Sequence, residues 1–177
     1  MGTEVSGVIL FTGDGKGKTT AALGMSMRAA GHGMRVCFIQ FIKSGALPTG
    51  EAAFLEGCDS IDLIRSGLGW APSGDDPAFD RHAAAAREGL DRASQAVLSR
   101  DYAMIVLDEI CVAIEKGLIE TSAVCDFLCR AAGSLIIVMT GRNAPDELVA
   151  AADTVTEMRC IKHAFGCGKP PRNGIEI

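Results

Sequence analysis

The sequence predicts a three-layer α/β domain, with helices on both faces of a mostly parallel central sheet of about six strands. Short, continuous apolar runs alternate with longer helix-forming segments along the whole chain. Strands that are apolar throughout are typical of parallel sheets buried on both faces. A glycine-rich turn follows the first of these runs. Because ligands of such sheets bind beyond the carboxyl ends of the strands, we expect the function to lie in the strand-to-helix turns.

The individual elements follow from the hydrophobic pattern. In chain order it predicts a strand at residues 7–11, a helix at 18–30, strands at 36–41 and 61–65, a helix at 81–98, a strand at 104–108, a helix at 109–130, a strand at 135–139, a helix from 146 and a weaker strand at 154–158. Gly31 ends the first helix, Gly117 interrupts the long one, and Pro145 suits the first helical position of the last. Thr121 or Ser122 is a fair N-cap for the segment after the interruption.

Composition and charge limit the classes of function. The 177 residues suffice for one domain, residues 1–177, and 48% of them are hydrophobic. The net charge of −5 argues against a nucleic-acid-binding protein that depends on a basic surface. No apolar run approaches the roughly 20 residues that cross a bilayer, and the first residues lack the pattern of a signal peptide. We therefore expect a cytoplasmic protein that binds neither nucleic acid nor membrane.

The cysteines raise the question of a structural metal. Cys160, His163 and Cys167 have a spacing that superficially resembles a set of metal ligands. A tetrahedral zinc site needs four ligands and usually a second close pair, and the chain contains no CxxC motif. We therefore expect buried, reduced thiols and no zinc site.

The turn after the first strand predicts a phosphate-binding loop. It comprises Gly13, Asp14, Gly15, Lys16, Gly17, Lys18, Thr19 and Thr20. Alternating glycines let backbone N–H groups turn toward one point, and the helix that follows adds its positive end. Lys18 adds a mobile charge for phosphate oxygens, and Thr19 is placed to offer its hydroxyl to a magnesium ion. A merely flexible turn needs neither the Gly-Lys-Thr run nor a helix after it.

The loop departs from the strict GxxxxGK[ST] pattern because Thr12 stands where the first glycine belongs. This departure weakens the interpretation as a generic nucleoside triphosphatase. It leaves the anion site intact, because the other glycines remain.

A second signal is the pair of carboxylates Asp108 and Glu109, directly after an apolar strand. Such a pair holds a metal ion beside bound phosphates, directly or through water. An Asp-Glu pair after a strand is also common as a helix N-terminal cap. The phosphate loop upstream favours the metal, so we expect Thr19, Asp108 and Glu109 to hold Mg²⁺ or Mn²⁺.

Further short motifs follow one another along the chain. They are Gly13-Asp14-Gly15-Lys16-Gly17-Lys18-Thr19-Thr20, Gln40-Phe41-Ile42-Lys43, Gly50-Glu51, Gly67-Leu68-Gly69-Trp70, Leu107-Asp108-Glu109-Ile110, Thr140-Gly141-Arg142-Asn143-Ala144-Pro145, Ala152-Asp153-Thr154-Val155-Thr156-Glu157-Met158, Lys162-His163 and Gly174-Ile175-Glu176. Each is weak alone, but the ordered set resembles the P-loop family of ATP:corrinoid adenosyltransferases. That family also lacks the first glycine of the loop, so Thr12 supports the resemblance.

The resemblance implies a P-loop, RecA-like fold and an unusual transferase reaction. The Co(I) of a reduced corrinoid attacks the C5′ carbon of ATP, the co-substrate, and inorganic triphosphate leaves. In this scheme Lys16 and Lys18 offset the charge of the triphosphate, and Lys18 and Glu109 count as catalytic. The resemblance also implies a homodimer and a reduced-flavoprotein electron donor. Some members have an N-terminal cover over the site, and only six residues precede Gly7 here, so we expect another chain or partner to supply it.

A long glycine- and proline-containing loop at residues 66–80 carries Leu68 and Trp70. The family commonly has Gly-Phe-Thr-Trp there, with aromatic rings that line the corrinoid and help to expel its lower axial ligand. Leu68 replaces the phenylalanine and Gly69 the threonine, and leucine excludes water with less area and no stacking face. A lone Trp is more often a core anchor, but its setting among glycines favours a catalytic part for Leu68 and Trp70.

Two other functions share part of these signals. A RecA-like P-loop ATPase or phosphotransferase uses the same loop and carboxylates, but it does not require Trp70 or the C-terminal motifs. A non-catalytic corrinoid carrier binds nucleotide as a signal, and the intact Lys18-Thr19 and Asp108-Glu109 pairs disfavour it. Release of triphosphate distinguishes adenosyl transfer from hydrolysis to ADP and phosphate.

Overall fold

The computed structural model describes residues 6–46, 48–70, 72, 74–133, 135–163, 168, 170, 172 and 174–175. Within them the strands are β1 (Gly7–Thr12), β2 (Val36–Ser44), β3 (Ile61–Gly67), β4 (Met104–Asp108), β5 (Ile136–Thr140) and β6 (Thr154–Glu157). The helices are α1 (Lys18–Gly31), α2 (Gly50–Leu55), α3 (Phe79–Ser99), α4 (Ile110–Glu115), α5 (Thr121–Ala131) and α6 (Asp146–Ala151). None of these helices is long and apolar enough to cross a membrane.

The six strands form one sheet in the order β3-β2-β4-β5-β1-β6, and every pairing is parallel. All six carboxyl ends therefore lie at the same edge of the sheet. The turn after β1 and the carboxylate at the end of β4 are separated by β5 alone. This arrangement confirms the predicted fold class and brings the two predicted halves of the site to one edge.

Two apolar clusters cover the two faces of the sheet. Helices α3, α4, α5 and α6 pack on one face around Phe41 and Phe127, whereas α1 and α2 pack on the other around Phe38. The alternation along β2 explains this, because Phe38 and Phe41 are both buried and belong to different clusters. The expected three-layer arrangement is thus present.

The long helix predicted at residues 109–130 is two helices. Gly117 interrupts it as predicted, with a φ of 72°, but Glu109 has a left-handed φ of 64° and lies outside α4. The N-cap of α5 is the extended Glu120 and not Thr121 or Ser122, so that assignment was wrong. Thr121 is already the first residue of the helix.

Two further details differ from the prediction. The sequence favoured Pro145 as the first residue of α6. In the structure Pro145 is the N-cap, and the helix begins at Asp146. Helix α2 was not predicted, because its six residues are too few for a hydrophobic period and only Leu55 is buried. It begins after Thr49, whose side chain accepts a hydrogen bond from the N–H of Ala52 at 3.4 Å.

Candidate functional site

The glycine-rich loop between β1 and α1 packs directly against the end of β6. The N–H of Gly15 donates to the carbonyl oxygen of Met158 at 2.6 Å, and the N–H of Met158 donates to that of Thr12 at 2.8 Å. A Cβ added at Gly13 or Gly15 would lie 2.6 Å from the same Met158 oxygen, so both positions require glycine. Gly13 and Gly17 also have left-handed φ values of 90° and 120°.

Lys18, the first residue of α1, turns its side chain back into this loop. Its ammonium donates to the carbonyl oxygens of Gly13 at 2.6 Å and Gly15 at 2.8 Å. Only 7% of the residue is exposed. Burial lowers the pKa of Lys18, and the charge of Glu109 opposes this. The ammonium therefore lies inside the loop that the sequence predicts as the anion site.

The remaining predicted loop residues lie on the outside of this arrangement. Asp14, Lys16 and Thr20 are exposed. The ammonium of Lys16 donates to the carbonyl oxygen of Ile175, so a residue near the end of the chain contacts the loop.

Asp108 is fully buried at the end of β4 and is the centre of a hydrogen-bond network. Its Oδ1 accepts from the hydroxyl of Thr140 at 2.8 Å, and its Oδ2 accepts from the Gln40 amide at 3.3 Å. The Thr19 side chain is a further hydrogen-bond partner. Burial raises the pKa of Asp108, and the hydrogen bonds from Thr140 and Thr19 limit the rise. The structure thus brings Thr19 and Asp108 together, as the sequence predicts.

Glu109 follows in a left-handed conformation that is uncommon for a residue with a side chain. Its N–H donates to the hydroxyl oxygen of Thr140 at 2.9 Å, and this contact links the turn to β5. Burial and the charge of Asp108 raise the pKa of Glu109, whereas the charge of Lys18 lowers it. Glu109 therefore lies in the electrostatic field of both halves of the site.

Besides Thr140, three residues of the network were not assigned a role from the sequence. Gln40 is fully buried on β2 and donates to Glu51 Oε1 as well as to Asp108, each at 3.3 Å. Lys43, also on β2, forms an ion pair with Glu51 on α2. Burial acts to raise the pKa of Glu51, but the hydrogen bond and charge of Lys43 hold it at about 2. All three residues belong to the motifs quoted in the sequence analysis, but the sequence alone did not indicate what their side chains bind.

The donor atoms suit a magnesium ion that is shared with phosphate. Thr19, Asp108 and Glu109 offer oxygen ligands, which this cation prefers. In the part of the chain that the structure describes, no three His, Cys, Asp or Glu side chains are grouped closely enough to hold a metal. Magnesium in phosphate-transferring enzymes is usually held by one or two carboxylates together with substrate phosphates. The residues therefore suit an ion that binds together with a nucleotide better than an ion held by protein ligands alone.

The cysteines behave only partly as expected. The described ones are free, and Cys37 and Cys111 are buried, with burial raising the pKa of each thiol to about 12. Cys129 and Cys160 are exposed, contrary to the expectation of buried thiols. Cys129 lies outside the buried stripe of α5, which explains its own exposure. Cys167 lies outside the described residues.

Trp70 and Leu68 lie on the surface, at the same sheet edge but far from the phosphate loop. They are 87% and 50% exposed, so Trp70 is not a core anchor. The loop is held at its base, where the N–H of Gly69 donates to the carbonyl oxygen of Ile42 at 3.0 Å. Strand β3, which precedes them, lies four strands from β1, about 19 Å at the usual strand spacing.

The sequence has relatives along nearly its full length. A sequence model of the family described as ATP:corrinoid adenosyltransferase BtuR/CobO/CobP matches residues 4–177. A corrinoid adenosyltransferase of Pseudomonas aeruginosa is 39% identical over 174 residues, which cover 96% of this chain and 83% of that protein. One of Escherichia coli (strain K12) is 35% identical over 171 residues, covering 96% and 84%.

A solved structure shares the fold at low sequence identity. It is the flagellar accessory protein FlaH from Methanocaldococcus jannaschii, with a TM-score of 0.55 and 13% identity over 85% of this chain and 70% of that one. At such identity the likeness concerns the fold alone.

Proposed function

The chain belongs to the ATP:corrinoid adenosyltransferase family, and we propose that its reaction takes place at the carboxyl edge of the sheet. As a member it is a transferase that moves the 5′-deoxyadenosyl group of ATP to a corrinoid. The observation that carries the proposed location is the convergence of two features at one edge. One is the Lys18 ammonium inside the glycine loop, and the other is the network that joins Thr19, Asp108 and Thr140.

The loop binds the triphosphate. The start of α1 and the backbone N–H groups next to it attract anions. Lys18 already bonds to the carbonyl oxygens of Gly13 and Gly15, and phosphate oxygens replace one or both of these acceptors when ATP binds. Lys16 lies on the outer side of the loop and adds a second positive charge. Both lysines stabilise the negative charge that the leaving triphosphate carries.

Thr19, Asp108 and Glu109 would hold Mg²⁺ or Mn²⁺ beside the phosphates. The bound ion offsets part of the negative charge that develops on the leaving group. Asp108 already accepts hydrogen bonds from Thr19, Thr140 and Gln40. We therefore assign Asp108 to orienting the ligands and Glu109 to direct contact with the ion.

The chemical step needs no general base. The Co(I) centre of the corrinoid substrate is the nucleophile, and its electron pair forms the cobalt–C5′ bond. The C5′–O bond breaks at the same time, and its electron pair leaves with the triphosphate. What remains for the protein is the alignment of the two substrates and the stabilisation of the leaving group.

We assign Leu68 and Trp70 to the corrinoid. An indole that is 87% exposed on an anchored loop offers a large apolar surface to a flat ligand. Excluding water and an axial ligand from the lower face of the corrinoid makes cobalt easier to reduce to Co(I). A reduced flavoprotein as electron donor, a homodimeric state and a cytoplasmic location complete the proposal on the basis of the resemblance.

The deciding experiment combines the protein with ATP, magnesium and a chemically reduced corrinoid. We expect the absorption spectrum of an adenosyl–cobalt bond and one inorganic triphosphate per adenosyl group. Formation of ADP and phosphate without this spectrum would instead identify a RecA-like ATPase. Binding of corrinoid and nucleotide without any product would identify a carrier.

A further inference from the structure

The side-chain amide of Gln40 lies buried at the carboxyl edge of the sheet, beside Asp108. Gln40 is fully buried on β2, where it pairs in register with Asp108 on β4. Its amide nitrogen donates to Asp108 Oδ2 and to Glu51 Oε1. Among the described residues, its Oε1 has no hydrogen-bond partner. Such an atom costs folding free energy and calls for an explanation.

The carboxylate of Glu51 determines which way the amide faces. Rotating it by half a turn would direct Oε1 at Glu51 Oε1, an ionised carboxylate oxygen that has no hydrogen to donate. The ion pair with Lys43 keeps Glu51 ionised and in position. The unused oxygen is therefore imposed by the network, and it lies beside the carboxylate that Thr19 also contacts.

We propose that Gln40 is a positioning residue whose amide oxygen accepts a hydrogen bond from a water in the hydration shell of the ion that Thr19 and Glu109 hold beside Asp108. This inference rests on the proposed function, which supplies the ion and the triphosphate. Magnesium and similar ions dehydrate reluctantly and keep several waters when bound. The phosphate oxygens of ionised triphosphate carry no hydrogen, so the donor that Gln40 needs is a water of the ion or a hydroxyl of the ribose. The contact between Gln40 and Asp108 favours the water.

The test is Gln40→Met, which keeps the length of the side chain and removes both amide functions. Gln95→Met, on the exposed side of α3, makes the same chemical change away from the site. Electron paramagnetic resonance of free Mn²⁺ measures the affinity of the ion in the presence of ATP and, separately, of tripolyphosphate. We expect Gln40→Met to weaken Mn²⁺ binding about tenfold with either anion. ATP affinity measured with EDTA should stay unchanged, and Gln95→Met should match the wild type throughout.

The two anions separate the possible donors. A loss seen with ATP but not with tripolyphosphate would assign the donor to the ribose and overturn the inference. Equal weakening of metal-free ATP binding would reduce Gln40 to a structural role and would also overturn it. If the wild type itself binds no Mn²⁺ with either anion, it is the proposed metal site that fails. Wild-type binding that Gln40→Met leaves intact contradicts only the role of Gln40.

A second variant covers the case in which Gln40→Met does not fold. Glu51→Gln keeps the size of the side chain but removes the charge that orients the Gln40 amide. We expect it to weaken Mn²⁺ binding roughly fivefold with both anions. Unchanged Mn²⁺ affinity in folded Glu51→Gln would refute the orienting network.

Discussion

Replacing Thr140 by valine removes the hydroxyl that connects the carboxylate of Asp108 to the backbone N–H of Glu109. This hydroxyl donates to Asp108 Oδ1 at 2.8 Å and accepts from the N–H of Glu109 at 2.9 Å. Thr140 and Asp108 are both fully buried. Valine has nearly the same shape, so the change deletes two hydrogen bonds without opening a large cavity. Thr140→Ser keeps the hydroxyl and is the matched control.

The size of the effect follows from these two contacts. A hydrogen bond to a charged group contributes about 1.5–3 kcal/mol, and a buried N–H left without a partner costs about 1–3 kcal/mol. We therefore expect Thr140→Val to lower the free energy of unfolding by about 4 kcal/mol at neutral pH. That is a large part of the stability of about 5–15 kcal/mol typical of a domain. Thr140→Ser should lose about 1 kcal/mol through its missing methyl group.

The loss should depend on pH, because burial raises the pKa of Asp108. For a group whose folded pKa is raised, stability is lost as the pH rises through that pKa. Thr140→Val raises the pKa further, so its deficit relative to wild type is largest above the pKa and shrinks as the pH falls. Urea unfolding followed by circular dichroism at several pH values measures this. A deficit of less than about 1 kcal/mol at neutral pH, or one that grows on acidification, would refute the assigned network.

Five further substitutions test the assigned roles. Lys18→Ala should lower ATP affinity at least about tenfold, because it removes the charge inside the loop; calorimetry that finds unchanged affinity in the folded variant contradicts the phosphate site. Glu109→Gln and Asp108→Asn should raise the magnesium concentration needed for half-maximal activity while circular dichroism reports an intact fold, and saturation of both at the wild-type concentration excludes the metal role. Trp70→Ala should cripple turnover from Co(II) with a mild reductant much more than turnover from supplied Co(I), and Leu68→Phe should improve the Co(II)-dependent rate or leave it unchanged. Equal losses in both assays would mean that Trp70 serves docking in general.

Sequence reasoning found the parts of the site that lie close together along the chain. The phosphate loop is one uninterrupted run, and Asp108 and Glu109 are adjacent at the end of a buried strand, so local patterns were enough. The alternation of apolar strands with helices likewise predicted the parallel sheet, because side chains buried on both faces leave a direct trace in composition.

The network around these parts escaped prediction because its members are distant in sequence. Gln40 lies 68 positions before Asp108, and their contact depends on the pairing of β2 with β4. Glu51 lies on the short α2, which has no periodic signal. The need for glycine at position 15 comes from Met158, which is far away along the chain. Such contacts depend on the order of the strands in the sheet, and the hydrophobic pattern of a sequence does not predict that order.

The position of β1 in the sheet has a consequence for the order of folding. Its two neighbours are β5 and β6, so Gly7 pairs with Ile136 and Thr12 with Glu157. During synthesis the first strand therefore stays unpaired until β5 and β6 have been made, and closing so long a loop is slow. The glycine loop is hydrogen-bonded to Met158, so it reaches its final conformation only after β1 has paired with β6. A nascent or C-terminally shortened chain thus has no finished place for ATP, and nucleotide binding reports that the fold is complete.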